Sequence, residues 1–367
     1  MAMRWRFGYL ASWLVLACGA AGAAETGPVS ETGVAPIPAW IDLSGDPELA
    51  VDGGVLQPVG HVAGSRLPAI AECCPEPPWA HRSGLFGELL LLRARDTEVA
   101  YALPVNGNVP EGAVGLLDGE FDLGFKAGIT RALDESRSLS FAYTGFFSDS
   151  SDRVAVDPAR SLVKLLVHPN ELNAAANVLE AGGESEIDFQ TADLAYRFLV
   201  LSNHCTAANL SIGARYGRLD QELAVEYSGA GLTETVTSDV EFNGLGLRLG
   251  ADLEHHGRHG LFCYGKTGVS FLAGEFQADY LHSSNVDPVR VSTSWDAGRI
   301  LSVLDLEVGA GWQCSPSWRL SAGYTISNWF GAVKTDEWIH RVRNDDLRDM
   351  SDNLTFDGFV ARAEYRF

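Results

Sequence analysis

Charged residues recur at every second position inside otherwise apolar segments, and that spacing is the first feature with chemical consequences. Asp122 and Lys126, Asp193 and Arg197, Arg215, Arg248 and Asp252, Asp305 and Glu307, Arg319, and Arg362, Glu364 and Arg366 each fall on one face of a period-two pattern. In a strand such residues share one surface. Gathered inside a closed ring, they would either set the ion preference of a water-filled lumen or fill a narrow interior as mutual pairs. A second cluster, Glu254, His255, His256 and His259, has imidazoles spaced as zinc or copper ligands could be, but Gly257 and Gly260 also mark it as a solvated turn. No Gly-x-Ser-x-Gly or His-Glu-x-x-His pattern is present, and His168-Pro169-Asn170 reads as loop, so the residues call for no catalysis, cofactor or metal.

These charges must sit on strands, and alternation supplies the strands. It recurs over 85–95, 120–131, 138–148, 186–198, 207–217, 240–254, 261–273, 297–313, 317–330 and 354–367. Leu245, Leu247, Leu249, Ala251 and Leu253, for example, alternate with Gly246, Arg248, Gly250 and Asp252. Each segment reaches the ~9–11 residues of a tilted membrane-spanning strand. The connectors alternate between short (132–137, 199–206, 255–260, 314–316) and long (96–119, 149–185, 218–239, 274–296, 331–353). That asymmetry is the one between inner turns and outer loops in bacterial membrane barrels. After Gly217 the pattern inverts: Leu219, Leu223, Val225 and Tyr227 take the opposite parity, which requires either a bulge or an outward extension beyond the membrane. The final segment places Phe359, Ala361, Ala363, Tyr365 and Phe367 on one face and Arg362, Glu364 and Arg366 on the other. Lipid outside and water inside a closed all-β, antiparallel up-and-down barrel of about ten strands provides both solvents, whereas a soluble sandwich would alternate as well.

The chain has 367 residues and a formal charge of −21, which excludes nucleic acid as a partner. Its 39 glycines and 10% aromatic residues suit a turn-rich β architecture. Residues 1–24 read as a signal peptide: two arginines, an apolar run and a small-residue cleavage region. Lipidation at Cys18 is the competing reading of that segment, with Leu16 fitting poorly. Residues 25–83 form a Pro/Gly/Ala-rich extension, and 84–367 the barrel. Of the six cysteines, Cys205, Cys263 and Cys314 map to the periplasmic rim, and Cys73 and Cys74 precede the first strand. Export favours disulfides. Cys263 opens one strand and Cys314 closes its neighbour, so we expect these two to pair.

Three stretches, 84–103 (GLFGELLLLRARDTEVAYAL), 118–133 (DGEFDLGFKAGITRAL) and 354–367 (LTFDGFVARAEYRF), together resemble the Legionella-type major outer membrane protein family, in the version found in planctomycete-like bacteria. The resemblance spans about 84–367. It implies an outer-membrane barrel with pore-forming activity and brings no catalytic residues. The sequence therefore leads us to expect a porin-like channel, passing ions or small hydrophilic solutes, with outer-membrane lipid and the barrel-assembly machinery (through the C-terminal strand) as partners. A plugged structural or surface-interaction barrel is the first alternative and an outer-membrane hydrolase the second. Oligomeric state is not legible.

Overall fold

The computed structural model describes residues 80–170, 178–229, 231–348 and 350–367. The expected signal peptide with Cys18, and the extension as far as Trp79 with Cys73 and Cys74, lie outside the described residues. In chain order the elements are β1 (Gly84–Arg95), β2 (Val99–Asn106), β3 (Val109–Pro110), β4 (Gly115–Leu117), β5 (Asp122–Asp134), β6 (Arg137–Ala155), β7 (Ser161–Lys164), β8 (Glu180–Ser202), β9 (Thr206–Gly229), β10 (Leu232–His256), β11 (Leu261–Ser284), β12 (Val291–Gln313), β13 (Trp318–Ala332), α1 (Thr335–Arg343) and β14 (Asp352–Arg366). Ten strands close into a barrel in the order β1-β14-β13-β12-β11-β10-β9-β8-β6-β5, with β5 returning to β1. Every pairing is antiparallel. Closure is what lipid demands, because hydrocarbon offers an unpaired backbone N–H or C=O no partner.

All ten expected strands are present, but several are far longer than their alternation suggested. β8 to β12 run 23 to 25 residues, about twice what a membrane span needs. The long loops expected at 218–239 and 274–296 are therefore mostly strand. Just before β10, Gly231 takes φ 82°, a conformation that suits glycine.

The parity change after Gly217 is the outward extension and not a bulge, since the β9–β10 register runs unbroken from Gly229 to Thr206. Along one continuous strand the apolar face moves from outside to inside. In the lower half Leu210, Ile212 and Tyr216 point outward and are exposed to lipid, while Asn209 and Arg215 are buried inside. In the upper half Leu219, Leu223, Val225 and Tyr227 point inward and are buried. β10 repeats the switch: Leu245, Leu247 and Leu249 face out, whereas Phe242, Val240 and Val236 face in. At the crossover Gly217, Gly244 and Gly274 lie side by side across β9, β10 and β11. A Cβ at Gly217 would stand 2.8 Å from Leu272 Cδ1 and 3.5 Å from the Trp329 ring, so this row leaves room for bulky groups folded over the wall.

The upper half is filled by its own connections. β2 pairs with β3, β4 and β7 in a small sheet. The segment 335–352, within the long connector expected at 331–353, carries α1. This helix buries Thr335, Trp338, Ile339 and Val342, the one-sided spacing of an amphipathic helix. Its acidic first turn and basic last turn match the helix dipole. Side chains of the tall wall satisfy backbone carbonyls of this cap: Tyr227 Oη donates to Tyr101 O (2.8 Å), Tyr280 Oη to Leu166 O (2.9 Å) and Gln221 Nε2 to Val333 O (2.8 Å). These donors add to the cap's own backbone pairing, such as Leu165 N–H to Tyr101 O (3.0 Å), in satisfying its buried carbonyls.

The expected Cys263–Cys314 bridge does not form. Cys314 carries a free, exposed thiol, and Cys263 is engaged in a disulfide elsewhere. Register explains the error. Cys263 stands opposite Ala310, and Cys314 lies four residues further along, past the end of the ladder. Four residues of strand are about 13 Å, well beyond the ~7 Å Cα separation a disulfide tolerates.

The lipid belt sets the first test. Leu249, outward in the lower half and 51% exposed, should lose about 2–4 kcal/mol as Leu249→Arg if it sits near the bilayer midplane. Thr237→Arg, on the same outward face of β10 but beyond the belt, should change refolding stability into vesicles by under about 1 kcal/mol.

Candidate functional site

The site singled out by the sequence is the interior of the lower half, and strand alternation delivers the charged side chains there. Arg215 lies at the centre. Its guanidinium donates to both carboxylate oxygens of Asp193 (2.6 and 2.8 Å) and to Asp305 Oδ2 (2.7 Å). Arg248 donates to the same Asp305 oxygen at 2.5 Å, and Ser327 Oγ to the other at 2.8 Å. This joins β8, β9, β10, β12 and β13 across the lumen. Towards the periplasmic turns, Arg197 grips Asp252 (2.9 and 2.5 Å), which also accepts from Asn209 Nδ2. His81 bridges Asn209 and Ser138, each at 2.9 Å, so the segment entering β1 is held in the mouth.

The C-terminal strand supplies a third group: Arg362 donates to Glu88 at 2.8 Å, and Arg366 to Glu364 at 2.6 Å. Arg319 meets Glu254 (2.8 Å) and lies 4.0 Å from the centre of the Phe262 ring. Lys266 donates to Glu307 at 2.8 Å. Asp122, near the upper end of β5, accepts from Ser148 Oγ at 2.7 Å, and Lys126 approaches Glu88 at 3.8 Å. Glu88, Glu254 and Lys266 were not singled out as lumen residues. Their parity was the available signal, but Glu88 is a lone acid in a leucine run, and Glu254 was read with the histidines.

The three imidazoles of the histidine cluster do not converge, although His256 Nε2 meets Glu254 Oε2 at 3.2 Å. Alternation sends Glu254 and His256 inward, with His256 stacked on Phe262, and His255 outward to Thr206 Oγ1 (2.9 Å). His259 sits in the following turn at φ 61°.

Above the charges lies a layer that sequence reasoning missed. Phe146, Phe189, Trp329 and Phe356, from β6, β8, β13 and β14, are buried against one another, with ring centroids 4.6 Å apart for Phe189–Phe356, 5.5 Å for Phe146–Phe189 and 5.9 Å for Phe189–Trp329. Rings in these tilted and edge-on arrangements attract beyond their area burial. Below this layer is a cavity of ≈ 110 Å³ lined by Phe189, Trp329 and Phe356 on one side and Arg215, Lys266 and Asp305 on the other. Nearer the periplasm is a second cavity, ≈ 210 Å³.

Outside the barrel, above the lipid belt, carboxylates face one another in register: Asp188 opposite Asp220, Glu186 opposite Glu222, Glu222 opposite Asp239 and Asp239 opposite Asp279. Partial burial, and then neighbouring carboxylates, push the Asp188 and Asp239 carboxyls above their usual range; Asp220 is raised likewise, with Arg218 opposing.

The family described as Legionella pneumophila major outer membrane protein precursor matches residues 75–367. No curated protein matches the chain. Among solved structures, the outer membrane protease OmpT from Escherichia coli aligns over 78% of this chain and 97% of its own, at 11% identity and TM-score 0.44. The Pseudomonas putida toluene transporter TodX aligns over 77% and 89%, at 8% identity and TM-score 0.27.

Two outcomes follow. Arg215→Met leaves Asp193 with only the 3.8 Å approach of Arg248 and takes one of three donors from Asp305, and should cost about 3–5 kcal/mol in urea refolding, the scale of breaking a buried ion pair from one side. The outer carboxylates give a pH dependence: a raised folded pKa favours the protonated fold, so the contribution of these groups to stability should increase as pH falls through their folded pKa towards the ordinary carboxylate range of about 4. Asp188→Asn should flatten that slope in denaturation midpoints.

Proposed function

The chain belongs to the Legionella-type major outer membrane protein family and resides in the outer membrane, and on that premise we propose that it works as a sealed barrel. It anchors in lipid through its lower half and presents a loop-built cap to the medium, and it is not a standing open pore. The observation that carries this reading is the aromatic layer of Phe146, Phe189, Trp329 and Phe356 with the packed cap above it. Trp329, Phe356 and Trp338 are each at most 1% exposed, and apolar interiors at protein packing density leave no continuous path for hydrated ions.

Passive passage of ions or small hydrophilic solutes is the second reading, favoured by the polar lower lumen and its two cavities. It requires the ring layer to part. Support for an enzyme is thinner, because the lumen's carboxylates are engaged with arginines and lysines and do not flank a nucleophile. The outward Phe359, Tyr365 and Phe367 suit the C-terminal strand to recognition by the barrel-assembly machinery.

Planar-bilayer recording separates the readings. The refolded protein should show no steady ohmic conductance, and Phe189→Ala with Phe356→Ala should introduce a leak. Stable open channels from the unaltered protein would overturn the sealed reading in favour of the porin.

A further inference from the structure

We propose that the periplasm-side cavity of the lumen is a binding site for a small oxyanion, a carboxylate or a phosphate. The cavity measures ≈ 210 Å³, room for several waters at ~30 Å³ each or for one ion of phosphate size. Its walls invert the charge of the whole molecule. Lys126, Lys266, Arg197, Arg248, Arg319 and Arg362 line it, in a chain whose net charge is −21. The carboxylates that share the wall are already taken: Asp193 by Arg215, Asp252 by Arg197, Glu254 by Arg319 and Glu364 by Arg366.

Apart from the Tyr264 hydroxyl, which can donate or accept, the hydrogen-bonding capacity left over around this cavity is donor capacity. The Nε–H groups of Arg319 and Arg362 are buried with no acceptor, and the Arg319 side chain is 5% exposed. Among the described residues, the Lys126 ammonium has only the 3.8 Å approach to Glu88, beyond hydrogen-bond reach. Lys126 and Arg362 approach the two oxygens of one carboxylate, Glu88, so their charges stand close together.

The guanidinium groups are also held in place. Arg319 lies 4.0 Å from the Phe262 ring centre and Arg362 3.8 Å from that of Phe86, which fixes each plane; their terminal nitrogens already donate to Glu254, Glu88 and Glu364, so the Nε–H is what each has to spare. Fixed forks with spare N–H groups match the oxygens of carboxylate and phosphate. A metal cation would meet like charge, and a sugar would bring donors to a site already rich in them.

The test uses the full mature chain refolded in detergent, titrated by calorimetry with inorganic phosphate and separately with succinate at constant ionic strength. Saturable one-site binding of at least one probe is expected. It should weaken about tenfold in Lys126→Gln, the effect of losing one charge-assisted contact. Arg153→Gln, on the outer wall and 76% exposed, should leave it unchanged. If Lys126→Gln fails to refold, judged by heat-dependent gel mobility, Lys266→Gln takes its place with the same expectation. Absence of saturable binding for both probes, binding untouched by the lumen variant, or an equal loss in Arg153→Gln would overturn the proposal.

Discussion

A strand that leaves lipid for water must move its apolar side chains from one face to the other, and the rest of this structure follows from how that exchange is made. In the lower half the surroundings are hydrocarbon, so leucines and isoleucines point out and the charges have only the interior left to them. In the upper half the surroundings are water, so Thr, Asp and Glu point out and the interior becomes a protein core. The exchange happens within continuous ladders. The glycine row Gly217–Gly244–Gly274 relieves the crowding where the two interiors meet.

Each interior then dictates its contents. Charges enclosed in lipid-surrounded wall cannot stay unpaired, because a lone buried ion costs several kcal/mol. Arginines with forked donors bind two acids at a time, as Arg215 does with Asp193 and Asp305. The upper interior is too wide for wall side chains alone to fill, and the long connections supply the remainder as a small sheet and one helix. Their backbones are satisfied there by the pairings of β2 with β4 and β7 and by Tyr227, Tyr280 and Gln221, which donate to them. The aromatic layer is the floor of this core and also the lid over the charges.

Much of this was legible in the sequence. Alternation in segments such as Leu245–Leu253 gave the strands, their inward faces and the residues now found in the lumen, and the short–long alternation of connectors gave the ring. Strand length was not legible. Thr233, Thr235, Thr237 and Asp239 look like loop until the inward Val236 and Val240 are known to have a cap to pack against, and Glu234 a cap lysine, Lys164, to pair with. The disulfide failed for a related reason. Pairing depends on register, and a few residues of offset along a strand put two rim cysteines out of reach. Partners among the charges depend on strand tilt, which carries Arg215 to Asp305 across a gap of 90 positions that no local pattern encodes.

The central claim, that the inside of the upper half is packed core and not water, is tested most directly by thiol accessibility at two adjacent positions on β10. With Cys205 and Cys314 replaced by Ser, a cysteine at Val240, inward and 1% exposed, should resist a membrane-impermeant maleimide. A cysteine at Asp239, one residue away and outward, should label within the mixing time. Rapid labelling at position 240, equal to that at 239, would mean that water fills the upper barrel and would contradict the account.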